Sequence, residues 1–447
     1  MIEKAQEIIR DNIAGIKMNQ SRQRRRLVER YVDFYGGENT AQYIADRFKL
    51  EAFQEIPPAC FNFTKKFIDR MSRIYVLGAQ RTVNDSYNEM IVDKDNAFKH
   101  IEKMTRLIGT IATKVELLEN DNSKMKFDYE PIYYFDPIFD DDYLNPVAIL
   151  YPIIGAGSDT FGQSPLVYAY WDDTQNLILD GDGKVIEEFN HDYGFLPFVF
   201  THREHQIDDF FVCGAYDIVS CNEMVNILLT EANLGLRFSM FGQHTITGLY
   251  SDDTVQRAGS DELLILPEGA DYKILSPEAN IRDAIDLTKN MLDLCAQNNH
   301  LSISFAETSS DRPTSGIALK IKDLERFEDY QDDLDLWNKY ENQYYQLERN
   351  LAGLFNISLP ETLGIDFNEP EYPKTVQDEV MMKTWMLENN LTTHAEILMG
   401  YNKDLTIEQA QEIVDNNKET NGQGTEQEEE QPRGTIFDRL RLETPEA

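Results

Sequence analysis

Carboxylates, histidines and glycines stand in this chain at several spacings that chemistry can use, and each can be weighed against what its reaction requires. Asp140-Asp141-Asp142 is a carboxylate run of the kind that holds divalent ions in nucleases. No Glu-x-Lys partner stands nearby on a strand, so an exposed acidic turn is the better reading. Asp180-Gly181-Asp182-Gly183 hints at a calcium loop, but with Gly183 in the sixth position Ile178 falls first and Phe189 twelfth, where carboxylates are required. As a turn the same residues join two strands. His202 and His205 are three apart, yet Pro197 and the strand pattern around them favour a loop over a metal-binding face. Gly155-Ala156-Gly157 lacks the third glycine of a dinucleotide fingerprint, and no phosphate-binding Gly-x-x-x-x-Gly-Lys-Ser/Thr loop exists. No nucleophile, base or metal triad assembles from these parts. The expectation is a protein that is not an enzyme and has no cofactor, catalytic residue or resident metal.

The whole-chain quantities narrow the class further. The chain has 447 residues, 41% of them hydrophobic and 11% aromatic, which suits a folded protein with a sizeable core and two or three domains. Its net charge of −37 repels polyanions, whereas a conventional nucleic-acid binder is basic. No run of eighteen apolar residues exists, so no membrane partner is expected, and the N-terminus is amphipathic and charged, unlike a secretory signal. Cys60, Cys213, Cys221 and Cys295 lie far apart without a Cys-x-x-Cys pair and read as isolated, buried thiols of a reducing compartment.

The elements that must position any site read as mixed α+β and helix-rich. Apolar residues at gaps of three or four mark helices over 2–35, stopped by Gly36-Gly37, and over 48–122, including Ile101 to Leu118. The basic patch of Arg22, Arg24, Arg25, Arg26 and Arg30 reads as a solvated face or a set of ion pairs rather than a phosphate site. Strands follow at 129–135, 147–153, 166–171, 177–179 and 184–189. A long helix begins after Cys213-Gly214, and a small β module spans 244–276. Ser276-Pro277-Glu278 then opens another helix to about Gln297. A polar loop precedes Ser315-Gly316-Ile317-Ala318-Leu319-Lys320, which opens the longest helical pattern, from Ile317 to about Phe355. That helix is on the order of 55–60 Å long, more than a small domain needs, which favours a large assembly. Pro360, Pro370 and Pro373 break the next stretch, and helices follow over 375–387, 392–399 and 406–416. The tail from Asn417 is acidic and low in complexity, except for Ile436-Phe437-Asp438-Arg439-Leu440-Arg441-Leu442, which has the character of a docking peptide.

Three stretches, in order, carry a resemblance to the portal proteins of tailed bacteriophages, in the branch of the long-tailed phages. Arg30-Tyr31-Val32-Asp33-Phe34-Tyr35-Gly36-Gly37 is similar to that family's N-terminal Tyr-x-x-Tyr-x-Gly element. Tyr193-Gly194-Phe195-Leu196-Pro197-Phe198-Val199-Phe200 is similar to the strand that leads into its stem helix, and Ser315 to Lys320 to the Ser-Gly-x-Ala-Leu-Lys that starts its long helix. The resemblance implies a ring, usually of twelve subunits, at one capsid vertex of the virion, assembled in the host cytoplasm. It implies a wing over 1–211, stem helices over 212–240 and 278–300, a clip over 241–277 and a tunnel loop over 301–316. The long helix and its return follow over 317–374, a crown over 375–416 and the tail over 417–447.

By the same comparison Glu307, Thr308, Ser309, Ser310, Asp311, Arg312 and Thr314 face DNA, and Arg312, Lys320 and Lys322 make passing phosphate contacts. Leu249, Tyr250, Leu263, Leu264, Ile265 and Leu266 of the clip dock the motor or adaptor. The implied partners are further copies of the chain, double-stranded DNA in transit, the terminase large subunit, the head-completion adaptor, and the major capsid and scaffolding proteins. The charge agrees with such a conduit, since an acidic wall keeps phosphates from neutralising contacts that would make DNA stick. Two other classes stay open at this stage: a metal-dependent nuclease using Asp140–Asp142, and a head–tail connector or scaffold with no motor role.

Overall fold

The structure is a computed structural model that describes residues 1–14, 20–48, 57–119, 124–153, 167–191, 193–241, 243–247, 271–275, 281–301, 324–368, 376–402 and 405–422. The chain divides into two compact units, residues 1–312 with 320–370, and residues 371–447 with 313–319.

The first unit is mixed α and β, as its sequence patterns require. It opens with α1 (Ile2–Ala14), α2 (Gln20–Gly36), α3 (Thr40–Ala45) and α4 (Phe63–Met71). Next come β1 (Ala79–Thr82), α5 (Asp85–Met90) and α6 (Lys94–Ile108). Gly109 ends α6 with a φ of +98°, a left-handed conformation that suits glycine. The following Thr110-Ile111-Ala112-Thr113-Lys114-Val115 is rich in β-branched residues and forms β2 (Thr110–Glu119), where the periodicity alone predicts helix to Leu118. The helical reading fails here because β2 is buried on both faces over Thr110–Thr113, so its apolar residues are continuous and mimic a buried helix. It lies between β3 (Met125–Ile132) and β9 (Phe198–His202) in one antiparallel sheet.

A second sheet runs β4 (Asp136–Ile138), β5 (Ala148–Ile153), β6 (Val167–Trp171), β7 (Gln175–Leu179) and β8 (Val185–Asn190), all antiparallel neighbours. Strand alternation gives it two buried faces. Leu150, Tyr170 and Leu177 meet Ala5 and Ile9 of α1, while Ile149, Tyr151 and Trp171 turn to Phe135, Phe198 and Phe210. The predicted turn at Asp180–Gly183 joins β7 to β8: Gly183 sits at φ +77°, and Asp180 Oδ1 accepts from the amides of Asp182 (2.9 Å) and Lys184 (2.8 Å).

The chain then forms α7 (Tyr216–Phe241), β10 (Gln243–Thr247), β11 (Asp271–Leu275) and α8 (Ile281–Asn298). The long helix α9 is described over Leu324–Leu354, about 46 Å at 1.5 Å per residue. Its predicted start at Ile317 lies outside the described residues. β12 (Gly364–Phe367) pairs with β1 in the stretch the prolines led us to read as irregular.

The length of α9 has a local explanation as well as the assembly one drawn from sequence. Leu336, Trp337, Tyr340, Tyr344, Tyr345 and Leu351 are buried in the unit's own core, against β2 and β9. Two carboxylates on the same helix, Glu341 and Glu348, have no exposure at all. Burying a charge is costly unless it is paired and hydrogen-bonded, and here both conditions hold. Glu341 meets Arg81 (2.5 Å) and Lys94 (3.2 Å) and accepts from Tyr75 OH (2.9 Å). Glu348 meets Lys94 (2.7 Å) and accepts from Tyr87 (2.5 Å) and Tyr129 (2.6 Å). Burial pushes the Glu341 carboxyl up, but Lys94 and Arg81 outweigh it and hold the group down at about 2. Glu102 shows the opposite balance. Buried beneath the Ile74 and Tyr75 amides and with no ion-pair partner among the described residues, it is pushed up to about 7 by that burial.

The second unit contains α10 (Val376–Glu388), α11 (His394–Tyr401) and α12 (Ile407–Gly422). A capping box between Thr393 and Glu396 starts α11, and α11 packs on α12. Val380, Met381 and Trp385 of α10 are exposed.

Candidate functional site: a helix–hairpin–helix arm and its root

α7, β10, β11 and α8 form one continuous excursion from the first unit. β10 and β11 pair antiparallel from Gln243–Leu275 to Thr247–Asp271, so the chain between them leaves and returns at one place. α7 and α8 pack side by side and run antiparallel. The start of α7 meets the end of α8, where Asp217 Oδ2 accepts from the side chains of Asn298 (3.1 Å) and Asn299 (2.8 Å). Further along, Cys221 of α7 reaches the carbonyl of Met291 at 3.8 Å, and its sulfur hydrogen-bonds with that of Cys295. These two thiols are therefore spatial neighbours, which their separation in sequence concealed. Cys60 and Cys213 are exposed, contrary to the expectation of four buried thiols, and all four cysteines are free.

The root of the arm is the most constrained backbone in the described chain. A Cβ on Gly109 would lie 2.2 Å from the Val212 carbonyl oxygen and 2.7 Å from Gly214 N; one on Gly214 would lie 2.5 Å from the Leu107 oxygen. The two glycines let the end of α6 and the start of the arm touch backbone to backbone, and Ala215 N–H bonds the Leu107 carbonyl at 2.9 Å. β9 feeds into this junction: Arg203 N–H bonds Gly109 O at 2.8 Å. His202, the last residue of β9, is buried with Nδ1 3.0 Å from Thr110 Oγ1, and burial pushes it down to about 4. It is a core residue, and among the described residues no group of three histidines, cysteines or carboxylates is arranged to hold a metal.

Polar residues one turn apart on α7 hold a neighbouring segment that belongs to no sheet. Asn226 accepts from Phe61 N (2.8 Å) and donates to Phe61 O (2.9 Å), Thr230 accepts from Ala59 N (2.9 Å), and Asn222 donates to Thr64 (2.9 Å). A half-buried backbone segment outside regular structure is held by such partners. Glu223 on the same helix takes Arg30 and, at 2.9 Å, Arg47. Arg24 pairs with Asp136 (2.5 Å) and Arg25 with Glu29 (2.9 Å), so these three arginines of the basic patch are ion-paired within the chain. Asp142, in the acidic run, closes a turn by accepting from Leu144 N (2.9 Å) and Asn145 (2.5 Å).

The same two helices also carry exposed apolar side chains. Leu294 (64% exposed), Leu287 (51%) and Met224 (47%) present apolar side chains to solvent. At the root end α8 stops through His300 at φ +50°, with Leu301 N–H bonded to Ala296 O (2.8 Å) and His300 Nδ1 2.8 Å from Asp329 of α9. A cavity of about 520 Å³ opens there, where Asp329, Asp332 and Asp335 face Arg106 and Arg203.

Of the sequence motifs, Arg30–Gly37 spans the end of α2 and the turn after it and reaches the arm through Arg30 and Glu223, and Tyr193–Phe200 leads through β9 to the same root. Ser315–Lys320 lies outside the described residues, as do Glu307, Thr308, Ser309, Ser310, Asp311, Arg312, Thr314 and Lys322. The clip candidates Leu249, Tyr250, Leu263, Leu264, Ile265 and Leu266 also lie outside them; the described hairpin shows only where that segment departs and returns. The residues that sequence reasoning missed are those of the root: Gly109, Gly214, Asn222, Asn226 and Glu223. The i, i+4, i+8 spacing of Asn222, Asn226 and Thr230 was the available signal.

No family model matches the sequence, and no curated protein does. Among solved structures, the chain is similar to one from the neck of an empty GTA particle computed with C6 symmetry, at 9% identity and a TM-score of 0.37, covering 76% of this chain and 90% of that one. A TM-score that low assigns neither a family nor a function. Among the described residues no helix is long and apolar enough to cross a membrane.

Proposed function

We propose that this chain is a portal-type subunit: copies of it close into a ring at one vertex of a phage capsid, and double-stranded DNA passes through the ring during packaging and ejection. The observation that carries the reading is the antiparallel α7–hairpin–α8 arm, on whose root two of the three resembling stretches converge. In the proposal α7 and α8 are the stem, and residues 241–277, with β10 and β11, are the clip, which docks the terminase large subunit and later the head-completion adaptor. Contacts with major capsid and scaffolding proteins belong to the other surfaces. No catalytic residue, cofactor or metal enters the mechanism.

The physics asked of a conduit is weak, non-specific contact. Each phosphate neutralised by a protein cation releases counterions and adds affinity, so a wall that is negative overall keeps DNA sliding. The net charge of −37 per copy, multiplied around a ring, supplies that repulsion, and the three best-defined cations of the basic patch are already bound to carboxylates. The exposed Leu294, Leu287 and Met224 support the oligomeric part of the reading, because apolar area of this kind is stabilised by a partner surface.

Native mass spectrometry with negative-stain electron microscopy tests the proposal. A ring with a central hole and a mass that is a multiple of 51.7 kDa near twelvefold is the expected result. A stable monomer at micromolar concentration overturns it, and DNA cleavage dependent on a divalent ion would restore the nuclease reading.

A further inference from the structure

Away from the arm, the first unit carries a cavity of about 930 Å³ lined by α2, the α2–α3 turn, β3 of one sheet and β5, β6 and β7 of the other. Its size is that of a ligand or short-peptide site. Tyr133, Tyr151 and Trp171 line its walls. The rim carries four carboxylates, Glu29, Asp33, Glu38 and Glu130, against two cations, Arg25 and Lys114. Both cations are already used: Arg25 bonds Glu29 at 2.9 Å, and Lys114 lies 2.6 Å from Glu116 with its ammonium 4.9 Å from the Trp171 ring centre. Asn176 also lines the cavity, and its side-chain oxygen is buried with no hydrogen-bond partner among the described residues. The groove therefore offers aromatic faces and acceptors of hydrogen bonds, and it carries a negative balance. An anion is repelled by it, and a purely apolar occupant leaves its carboxylates without a counter-charge. A guanidinium flanked by apolar side chains satisfies every part, since it carries five donors, no acceptor, and a plane that stacks on aromatic rings.

One segment of this acidic chain has that composition and lies outside the described residues: Ile436-Phe437-Asp438-Arg439-Leu440-Arg441-Leu442, just before the C-terminus. In an extended form its alternation sets Arg439 and Arg441 on one side and Leu440 and Leu442 on the other. The residues between Gly422 and Ile436 give a tether of at most about 45 Å. We propose that this segment of a neighbouring copy docks in the groove, its arginines toward Glu38 and Glu130 and its apolar residues toward Tyr133 and Tyr151. The source in a second copy rests on the ring reading above.

The test uses the full chain with Phe437→p-benzoylphenylalanine, assembled from a mixture of unlabelled and ¹⁵N-labelled copies, irradiated and mapped by mass spectrometry. Mixed-isotope cross-links from position 437 into residues 129–134, 151–153 or 169–178 are expected. Arg439→Glu with Arg441→Glu, and separately Glu130→Lys, should each lower their yield about tenfold, or ~1.4 kcal/mol by RT ln 10. The native mass, measured on the same sample, keeps the two readings apart. An oligomer whose cross-links fall elsewhere, or fall only within one copy, overturns the docking proposal and leaves the ring intact. A monomer overturns both.

Discussion

The buried charge network beneath α9 and the α7–α8 arm treat their side chains in opposite ways. Around Glu341 and Glu348 two basic side chains, three tyrosine hydroxyls and two carboxylates find their partners inside the chain and close on one another in the core. In the arm the asparagine ladder and Glu223 are satisfied in this manner, yet the same helix pair leaves Leu287 and Leu294 in solvent. A region complete in itself acts as a platform. A region that is rigid at its base and apolar along its flank is arranged for a partner.

The largest expected effect lies in the network. Lys94→Met leaves two carboxylates facing each other in the core without their shared cation, and should lower unfolding free energy in urea by ~3–5 kcal/mol; a loss under ~1 kcal/mol would mean the network is not the platform. The network also sets an acid limit. Glu341 is held at about 2 in the fold against an ordinary 4.5, so the folded state binds its proton less readily than the unfolded chain. Its contribution is therefore complete above pH 4.5 and is lost as pH falls toward 2. Denaturation midpoints across that window should show the slope in the natural chain and lack most of it in the Lys94→Met variant.

Gly109→Ala comes next, since it forces a Cβ to 2.2 Å from a carbonyl oxygen at a φ of +98°; a cost of ~2–3 kcal/mol is expected by thermal or urea unfolding. Asn226→Ala leaves the Phe61 amide and carbonyl without their partner and should cost ~1–3 kcal/mol by the same measurement. The smallest effect on the subunit sharpens the comparison most. Leu287→Asp with Leu294→Asp should change subunit stability by no more than about 0.5 kcal/mol while reducing the native mass to a single copy. Unchanged assembly in that variant would show that the arm's apolar flank is not what a second copy covers.

Much of the element order was legible from periodicity and turn chemistry. Asp180–Gly183 announces the β7–β8 hairpin because only glycine accepts the positive φ that the turn needs, and the spacing from Ile218 to Leu236 announces α7. β2 was misread because a strand buried on both faces has no period-2 signature. The three-residue β4 and the β1–β12 pair escaped notice because strands this short carry too few residues for a pattern. At the arm, the sequence announced the two helices and the paired strands but not the root, whose contacts join residues more than a hundred positions apart, such as Gly109 with Val212 and Asn226 with Phe61.

The amino-acid sequence by itself determined what is local or additive: the net charge of −37, the helices, the glycine turns and the stretches resembling portal proteins. Tertiary structure alone decided which charges are neutralised, since Arg30 finds its carboxylate 193 residues away and Lys94 finds its second one at a separation of 254. It also decided that an acidic, aromatic groove stands open on the first unit. The physical reason is that propensity and period act over a few residues, whereas desolvation and ion pairing depend on distances of a few ångströms that only the folded chain sets.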